Sequence, residues 1–328
     1  MLKGTVDKSE IPKDGAEKDK NARIFTNPFI RSILALFCCL LWGSAFPCVK
    51  VGYEWLAIHD TGSQILFAGY RFFLAGIFTF LLGCAAEKRC MVPKRASLPT
   101  VVRQAILQTT LQYIFFYIGM AHTTGIKGSV INASNAFISI AAAHFLMKDE
   151  KITWDKALGC VVGFAGVIAI NLEPAAWSSD FSFAGEGMIF LCSAVYGVSS
   201  VTLKMISHRE TPVCITAWQL LIGSSILIVA GLLLGGKIQG FDLPSVLLLL
   251  YMALLSTAAF SLWSILLKYN SVGEVAVFGF SIPVFGSLLS AAILGETLFS
   301  VKNFAALILV AAGIVIVNKR FPVKKLKS

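Results

Sequence analysis

Apolar residues along this chain do not alternate with polar ones; they gather in blocks. Ten blocks of near-continuous hydrophobicity run over residues 31–52, 62–84, 103–121, 126–147, 154–172, 184–206, 213–234, 244–267, 274–294 and 302–318, with short polar connections between them. A helix rising 1.5 Å per residue crosses a hydrocarbon core in about 20 residues. The pattern therefore predicts an all-α polytopic membrane protein with ten transmembrane helices. Residues 1–28 are polar, mixed in charge and interrupted by Pro12, Gly15 and Pro28, and read as a disordered cytoplasmic tail. They are longer and more acidic than a signal-peptide n-region, and no small-residue cleavage site follows the first block, so that span is expected to be retained. Residues 319–328 read as a basic cytoplasmic tail.

The blocks repeat. Leu40–Lys50 reads LLWGSAFPCVK and Ala194–Lys204 reads AVYGVSSVTLK, with Trp42-Gly43 and Tyr196-Gly197 each eight residues ahead of a lysine. At a shift of about 150 residues, Tyr70-Arg71-Phe72 falls on Trp218-Gln219-Leu220, and Asp149-Glu150-Lys151 on Gly295-Glu296-Thr297. The fifth block ends GFAGVIAIN and the tenth LVAAGIVIVN. Each unit, 29–173 and 184–318, holds five spans. Five is odd, so the second unit enters the membrane inverted relative to the first. Inverted repeats of this kind place a substrate site near the midplane between the halves and support alternating access.

Composition agrees with a membrane class. The 328 residues are 56% hydrophobic and 14% charged, with a mean hydropathy of +0.77, against roughly 25% charged residues in soluble domains. The net charge of +10 is not spread as a nucleic-acid patch. With the N-terminus inside, 23 Lys and Arg fall on the cytoplasmic side and four outside, leaving Arg71 within a span. That split predicts both termini cytoplasmic, and the membrane is expected to be the plasma (inner) membrane. Seven of the eight cysteines lie in or beside apolar blocks, only Cys90 sits in a hydrophilic loop, and no C-x-x-C occurs. They are expected to act as small buried hydrophobes.

Candidate chemistry follows from the polar residues inside the blocks. Arg71 lies near mid-bilayer, where an unpaired guanidinium costs at least about 2.5–3.5 kcal/mol on insertion scales. Two readings stand: it receives an anionic substrate group, or it locks onto backbone carbonyls. The fourth span carries Ser129, Asn132, Asn135 (or Ala136), Ser139 and Ala143 at three-to-four spacing, a small polar stripe suited to lining a cavity or to close helix approach. The ninth carries Gly279, Pro283, Gly286 and Ser290. Pro283 removes a backbone donor, frees a carbonyl one turn earlier, and is the candidate hinge. Gln108, Gln112 and Phe116 share a face of the third span. Trp42, Tyr196 and Trp263, with Trp218 and Phe260, would supply apolar or cation–π surface if they face inward. Lys50 and Lys204 lie at helix ends, where a long stem either snorkels or reaches substrate. The substrate-binding set read from the sequence is thus Trp42, Arg71, Gln112, Asn132, Asn135, Ser139, Tyr196 and Trp263.

Several classes find no support. No H-E-x-x-H and no deep acid pair argue for an intramembrane enzyme. Gly231–Lys237, GLLLGGK, mimics a phosphate-binding loop, but Ile238 replaces the hydroxyl residue that would hold magnesium, and a hydrophobic helix precedes it where a strand belongs. The five-plus-five plan, the W-G-S-x-F of Trp42–Phe46, the Y-R-F-F-L-A-G of Tyr70–Gly76 and the G-E-T-L of Gly295–Leu298 resemble the drug/metabolite transporter superfamily, EamA branch, over residues 30–320. The first repeat departs from the pattern with Asp149 where the second has Gly295. The resemblance implies a carrier of small metabolites, often an exporter of amino acids or related compounds. A carrier of sugar phosphates or nucleotide sugars, drug efflux, and a non-transporting receptor are the alternatives. Expected partners are a small-molecule substrate and the lipid bilayer, with no nucleic acid and no cofactor. No motif encodes a coupling proton, the direction of transport or the oligomeric state.

Overall fold

The computed structural model describes residues 22–123, 128, 131–171, 182–294 and 301–318. The tails beyond them, Ser129, Ser179 and the Gly295–Leu298 motif lie outside the described residues. Every regular element among the described residues is helical. In chain order these are α1 (Pro28–Trp55), α2 (Thr61–Glu87), α3 (98–122), α4 (Ser134–Leu146), α5 (Trp154–Asn171), α6 (Phe183–Ile206), α7 (Pro212–Leu233), α8 (Leu243–Tyr269), α9 (272–294) and α10 (Val301–Asn318). Among the described residues, six stretches, α1, α2, α6, α7, α8 and the first 18 residues of α9, are long and apolar enough to cross a membrane. Residues 22–26 ahead of α1 are also helical. Phe25 there stacks on Tyr269 at 5.6 Å, so order begins earlier than the sequence-predicted tail boundary.

Local chemistry sets the helix starts. Asn27 caps α1 through Oδ1, which accepts from the N–H groups of Phe29 and Ile30. Asp60 and Asp242 cap α2 and α8, each accepting from a serine three residues on. Bonds from the Ser63 and Ser245 hydroxyls and amides hold both carboxyls below their usual range. An oxygen at this position satisfies a backbone donor that the first turn leaves unpaired.

The arrangement of side chains is that of a multi-pass membrane protein. On α1, Phe29, Ile33, Phe37 and Leu40 form an exposed stripe, while Ala35, Cys38, Trp42, Ala45 and Val49 face inward. Conversely Gln64, Arg71, Gln104, Gln108, Ser193, Gln219 and Ser256 are buried. Large apolar groups outside and polar groups inside invert the order water would impose; a hydrocarbon surround removes the cost of the former.

The helices pack as α2 against α7, α5 against α10, α1 against α9 and α8, α4 and α3 against α6, α8 against α2, and α7 against α3. Glycine allows the closest approaches. A Cβ at Gly43 would stand 2.7 Å from the Phe285 Cβ and 2.9 Å from the Gly286 amide, so any side chain there would drive α9 off α1. This accounts for the glycine in the first apolar block. Pro47, also inside α1, is buried; without an N–H it leaves the carbonyl one turn earlier free. The cysteines match expectation: six are buried, Cys84 is half-buried and Cys90 is exposed, all of them free.

Candidate functional site

Arg71 sits near the middle of α2 and is 1% exposed. Its Nε donates to the Met252 carbonyl at 3.3 Å and to Ser256 Oγ at 3.1 Å, both on α8. Its Nη1 donates to the Tyr117 hydroxyl of α3 at 3.3 Å. The guanidinium carbon also lies 4.8 Å from the Phe72 ring centroid. These acceptors orient the fork, but none is anionic, and among the described residues no carboxylate pairs with it. Nη2 finds no acceptor among the described residues. One edge of the fork is thus tied to α8 and α3, including a backbone carbonyl as the locking reading requires. The rest of its positive charge is unmatched.

That residue borders a cavity of about 50 Å³ lined by Trp42, Ala45, Phe46, Arg71, Gln112, Tyr113, Phe116, Asn132, Asn135, Tyr196, Phe260 and Ile282. Six of the eight sequence-predicted residues meet there, drawn from α1, α2, α3, the entry to α4, α4 itself and α6. Two polar atoms of this lining are buried without a partner among the described residues: the Trp42 Nε1 donor and the Gln112 Oε1 acceptor. A buried amide or indole group left unpaired costs about 1–3 kcal/mol. The wall is aromatic, with Trp42 edge-on to Tyr196 (6.5 Å between centroids) and Phe260 (5.5 Å), and Phe46 edge-on to Phe116 (5.6 Å). Among the described residues of the lining, Arg71 is the one cation and no acid is present. The volume holds a few waters, at ~10–15 Å³ each, so a larger solute requires the helices to part.

Two predicted residues stand elsewhere. Ser139 is buried against α6, where Gly197 packs on its backbone, and its hydroxyl donates to the Asn135 carbonyl at 2.7 Å. Trp263 lies behind Trp42, edge-on at 5.0 Å, and supports it without lining the cavity. Gln108 also parts from Gln112. Residues Ala105–Leu111 are π-helical, which inserts extra residues into the turn and rotates the face that a 3.6 period assigns. Gln108 Oε1 instead accepts from Gln104 Nε2 at 2.6 Å. Sequence reasoning missed Ala45, Phe46, Tyr113 and Ile282 in the lining, and Tyr117 and Ser256 as the holders of Arg71. None is distinguishable by type or spacing from ordinary packing residues.

Pro283 is the third residue of the α-helical stretch Ser281–Leu294, directly after a 3₁₀ turn, Val277–Phe280. The α9 backbone therefore changes helix type one turn ahead of the proline. Lys50 is exposed, whereas Lys204 is drawn into an ion pair with Glu150 at 3.5 Å, outside both readings of that lysine.

The family described as the EamA-like transporter family matches this chain twice, over residues 30–172 and 183–319. An uncharacterized transporter of Archaeoglobus fulgidus is 26% identical over 281 residues, covering 85% of this chain and 95% of its own. A probable amino-acid metabolite efflux pump of Salmonella typhimurium is 25% identical over 293 residues, covering 86% and 93%. Its namesake in Escherichia coli is 24% identical, covering 87% and 93%. A solved crystal structure shares the fold with a TM-score of 0.73 at 14% identity, over 88% of this chain and 96% of its own.

Proposed function

This chain belongs to the EamA-like transporter family of the drug/metabolite transporter superfamily, and from that premise we propose a secondary transporter that exports small carboxylate-bearing metabolites, such as amino acids, by alternating access. The observation that carries the substrate reading is Arg71: a buried guanidinium with no acidic partner among the described residues, bordering a cavity at the interface of the two family copies. A carboxylate would complete the fork by charge-assisted hydrogen bonds. Trp42 Nε1 and Gln112 Oε1 offer a donor and an acceptor for the remaining polar groups, and the aromatic wall takes the apolar part. The sugar-phosphate alternative asks for several convergent cations, and the described lining holds one.

Ten crossings arranged as two inverted five-helix repeats, 29–173 and 184–318, form the architecture of this reading. The helix packing supports it. Exchanging the first five helices for the last five turns α1–α9 into α6–α4, α1–α8 into α6–α3 and α2–α8 into α7–α3, while α2–α7 and α5–α10 map onto themselves. Repeat-matched Trp42 and Tyr196 also meet at the cavity. In this reading Pro283 is the hinge, both termini are cytoplasmic and the membrane is the plasma membrane. A rigid-body movement of one half against the other then exposes the cavity to each side in turn.

Substrate flux into liposomes and affinity, measured on the same purified variants, test the proposal. Arg71→Gln should weaken binding of a carboxylate substrate by roughly 1.5–3 kcal/mol, about tenfold to over a hundredfold. Arg71→Lys should recover part of it, because charge is kept and the planar fork is lost. Normal affinity in well-folded Arg71→Gln protein would rule out the substrate role and leave Arg71 as a lock on α8.

A further inference from the structure

Charged side chains buried or half-buried at one end of the bundle converge on the junction between α8 and α9. Glu150, just after α4, is 7% exposed and accepts from the Val272 N–H through both carboxylate oxygens, at 2.9 and 2.8 Å. Val272 is the first residue of α9. Lys204, near the C-terminal end of α6, stands 3.5 Å from Glu150 Oε1 and donates to the carbonyls of Leu267 (3.2 Å) and Asn270 at the end of α8. Beside it, Arg31 of α1 donates to Glu274 at 3.1 Å, to Asn270 Oδ1 at 3.2 Å and to Asn318 Oδ1 of α10 at 2.7 Å. Both ion pairs join one family copy to the other: Glu150 and Arg31 belong to 30–172, Lys204 and Glu274 to 183–319.

We propose that Glu150 and Lys204 are positioning residues for transport, a charge latch that holds this end of the molecule shut and parts each time it opens. The inference rests on the alternating-access reading above. A buried pair is worth most where water is kept out, and losing one partner there leaves the other charge buried and uncompensated. When the two copies separate at this end, water reaches both groups and neither depends on the other. The pair therefore interacts differently in the two states, which is the condition for biasing an equilibrium between them. A carboxylate serving only to cap α9 would need no lysine. Lys204 is an ion-pair partner drawn from the opposite copy, and its remaining bonds fix the last carbonyls of α8, so the same ammonium holds α4, α6 and the α8–α9 junction together.

Spin labels at Lys148 and His208, both exposed, report the separation of the two copies at this end. A Cys84→Ser/Cys90→Ser background of the full chain removes the accessible thiols. Wild-type protein in nanodiscs should give a dominant short distance by electron–electron double resonance. Lys204→Gln, which leaves the carboxylate on the Val272 amide, should raise the ratio of long to short distances tenfold or more. Glu150→Gln should do at least the same, and the double variant should add little to the larger single effect, because both remove one contact. Unchanged distances in folded Lys204→Gln protein, or fully additive shifts, overturn the latch. Flux measured on the same samples separates the two proposals. Shifted distances without flux in any variant keep the latch and sink the transport reading; flux with unshifted distances does the reverse.

Discussion

Trp42 combines two roles in one side chain. Its ring packs edge-on against Tyr196, Phe260 and Trp263, while its Nε1 is buried without an acceptor among the described residues. Buried indole donors are usually paired, so an orphan at a cavity marks a bond that a ligand or water completes. Trp42→Phe keeps most of the packing and deletes the donor. It should weaken substrate affinity roughly twofold to tenfold, the net worth of a neutral hydrogen bond of about 0.5–1.5 kcal/mol, with little loss of folded yield. Titration calorimetry showing unchanged affinity would mean that water, not substrate, takes that N–H. Gln219, which the repeat sets opposite Arg71, is fully buried, and neither atom of its amide has a partner among the described residues. The two copies have therefore diverged in chemistry at this position: a charged fork in one, a neutral amide in the other.

At the scale of elements, the irregular stretches within α3 and α9 both serve the cavity. In α3 the π-helical stretch Ala105–Leu111 separates Gln108 from Gln112 and sends only the second, with Tyr113 and Phe116, to the cavity. In α9 the 3₁₀ turn precedes Pro283 and leaves Ile282 on the lining. If this junction bends between access states, Pro283→Ala should fold normally and slow exchange between them, seen as a reduced flux at unchanged affinity. Undiminished flux by a stable Pro283→Ala protein would reduce the residue to packing. The α5–α10 pair makes a different demand. A Cβ at Gly313 would fall 2.6 Å from the Gly159 carbonyl oxygen and 2.7 Å from the Gly163 Cα, all backbone that cannot step aside. Gly313→Leu should thus destabilise by about 1–3 kcal/mol or more through overpacking. The readout is a lower melting temperature in detergent; an unchanged one would mean that the two helices are free to separate.

For the whole molecule, the two family copies are bound by long apolar and glycine contacts and, at one end, by the Arg31 and Glu150 ion pairs. Contacts of the first kind persist through small rigid-body shifts, whereas a buried ion pair has a sharp geometric optimum. That division of labour suits a device with two discrete states. The charge split of 23 against four predicts that both termini face the cytoplasm. Reporters fused at residue 20 and after Ser328 should both read cytoplasmic, and one inserted at Ser179 should read exterior. An exterior C-terminus would remove the even number of crossings and with it the inverted arrangement.

Periodicity and hydropathy determined what a bilayer demands of any chain. The apolar blocks carry the helices because backbone groups in hydrocarbon must bond within their own segment, and the predicted bounds fall within a few residues of Pro28–Trp55, Thr61–Glu87, Trp154–Asn171 and Leu243–Tyr269. The sequence also singled out Arg71 and the Asn132/Asn135 stripe, since charge and amide groups stand out against an apolar background. Tertiary structure decided what touches what. Ser139 is buried away from the cavity with its hydroxyl on the Asn135 carbonyl, and Gln108 left it because a π turn rotated it away. Tyr117 and Ser256 came to hold Arg71 from helices that lie 46 and 185 residues away along the chain. Lys50 and Lys204 occupy matching places in the repeat, yet one is exposed and the other is bound to Glu150. Residue type and spacing are local quantities, while a partner supplied by another helix depends on how the helices rotate and pack, and that is settled only when the whole bundle closes.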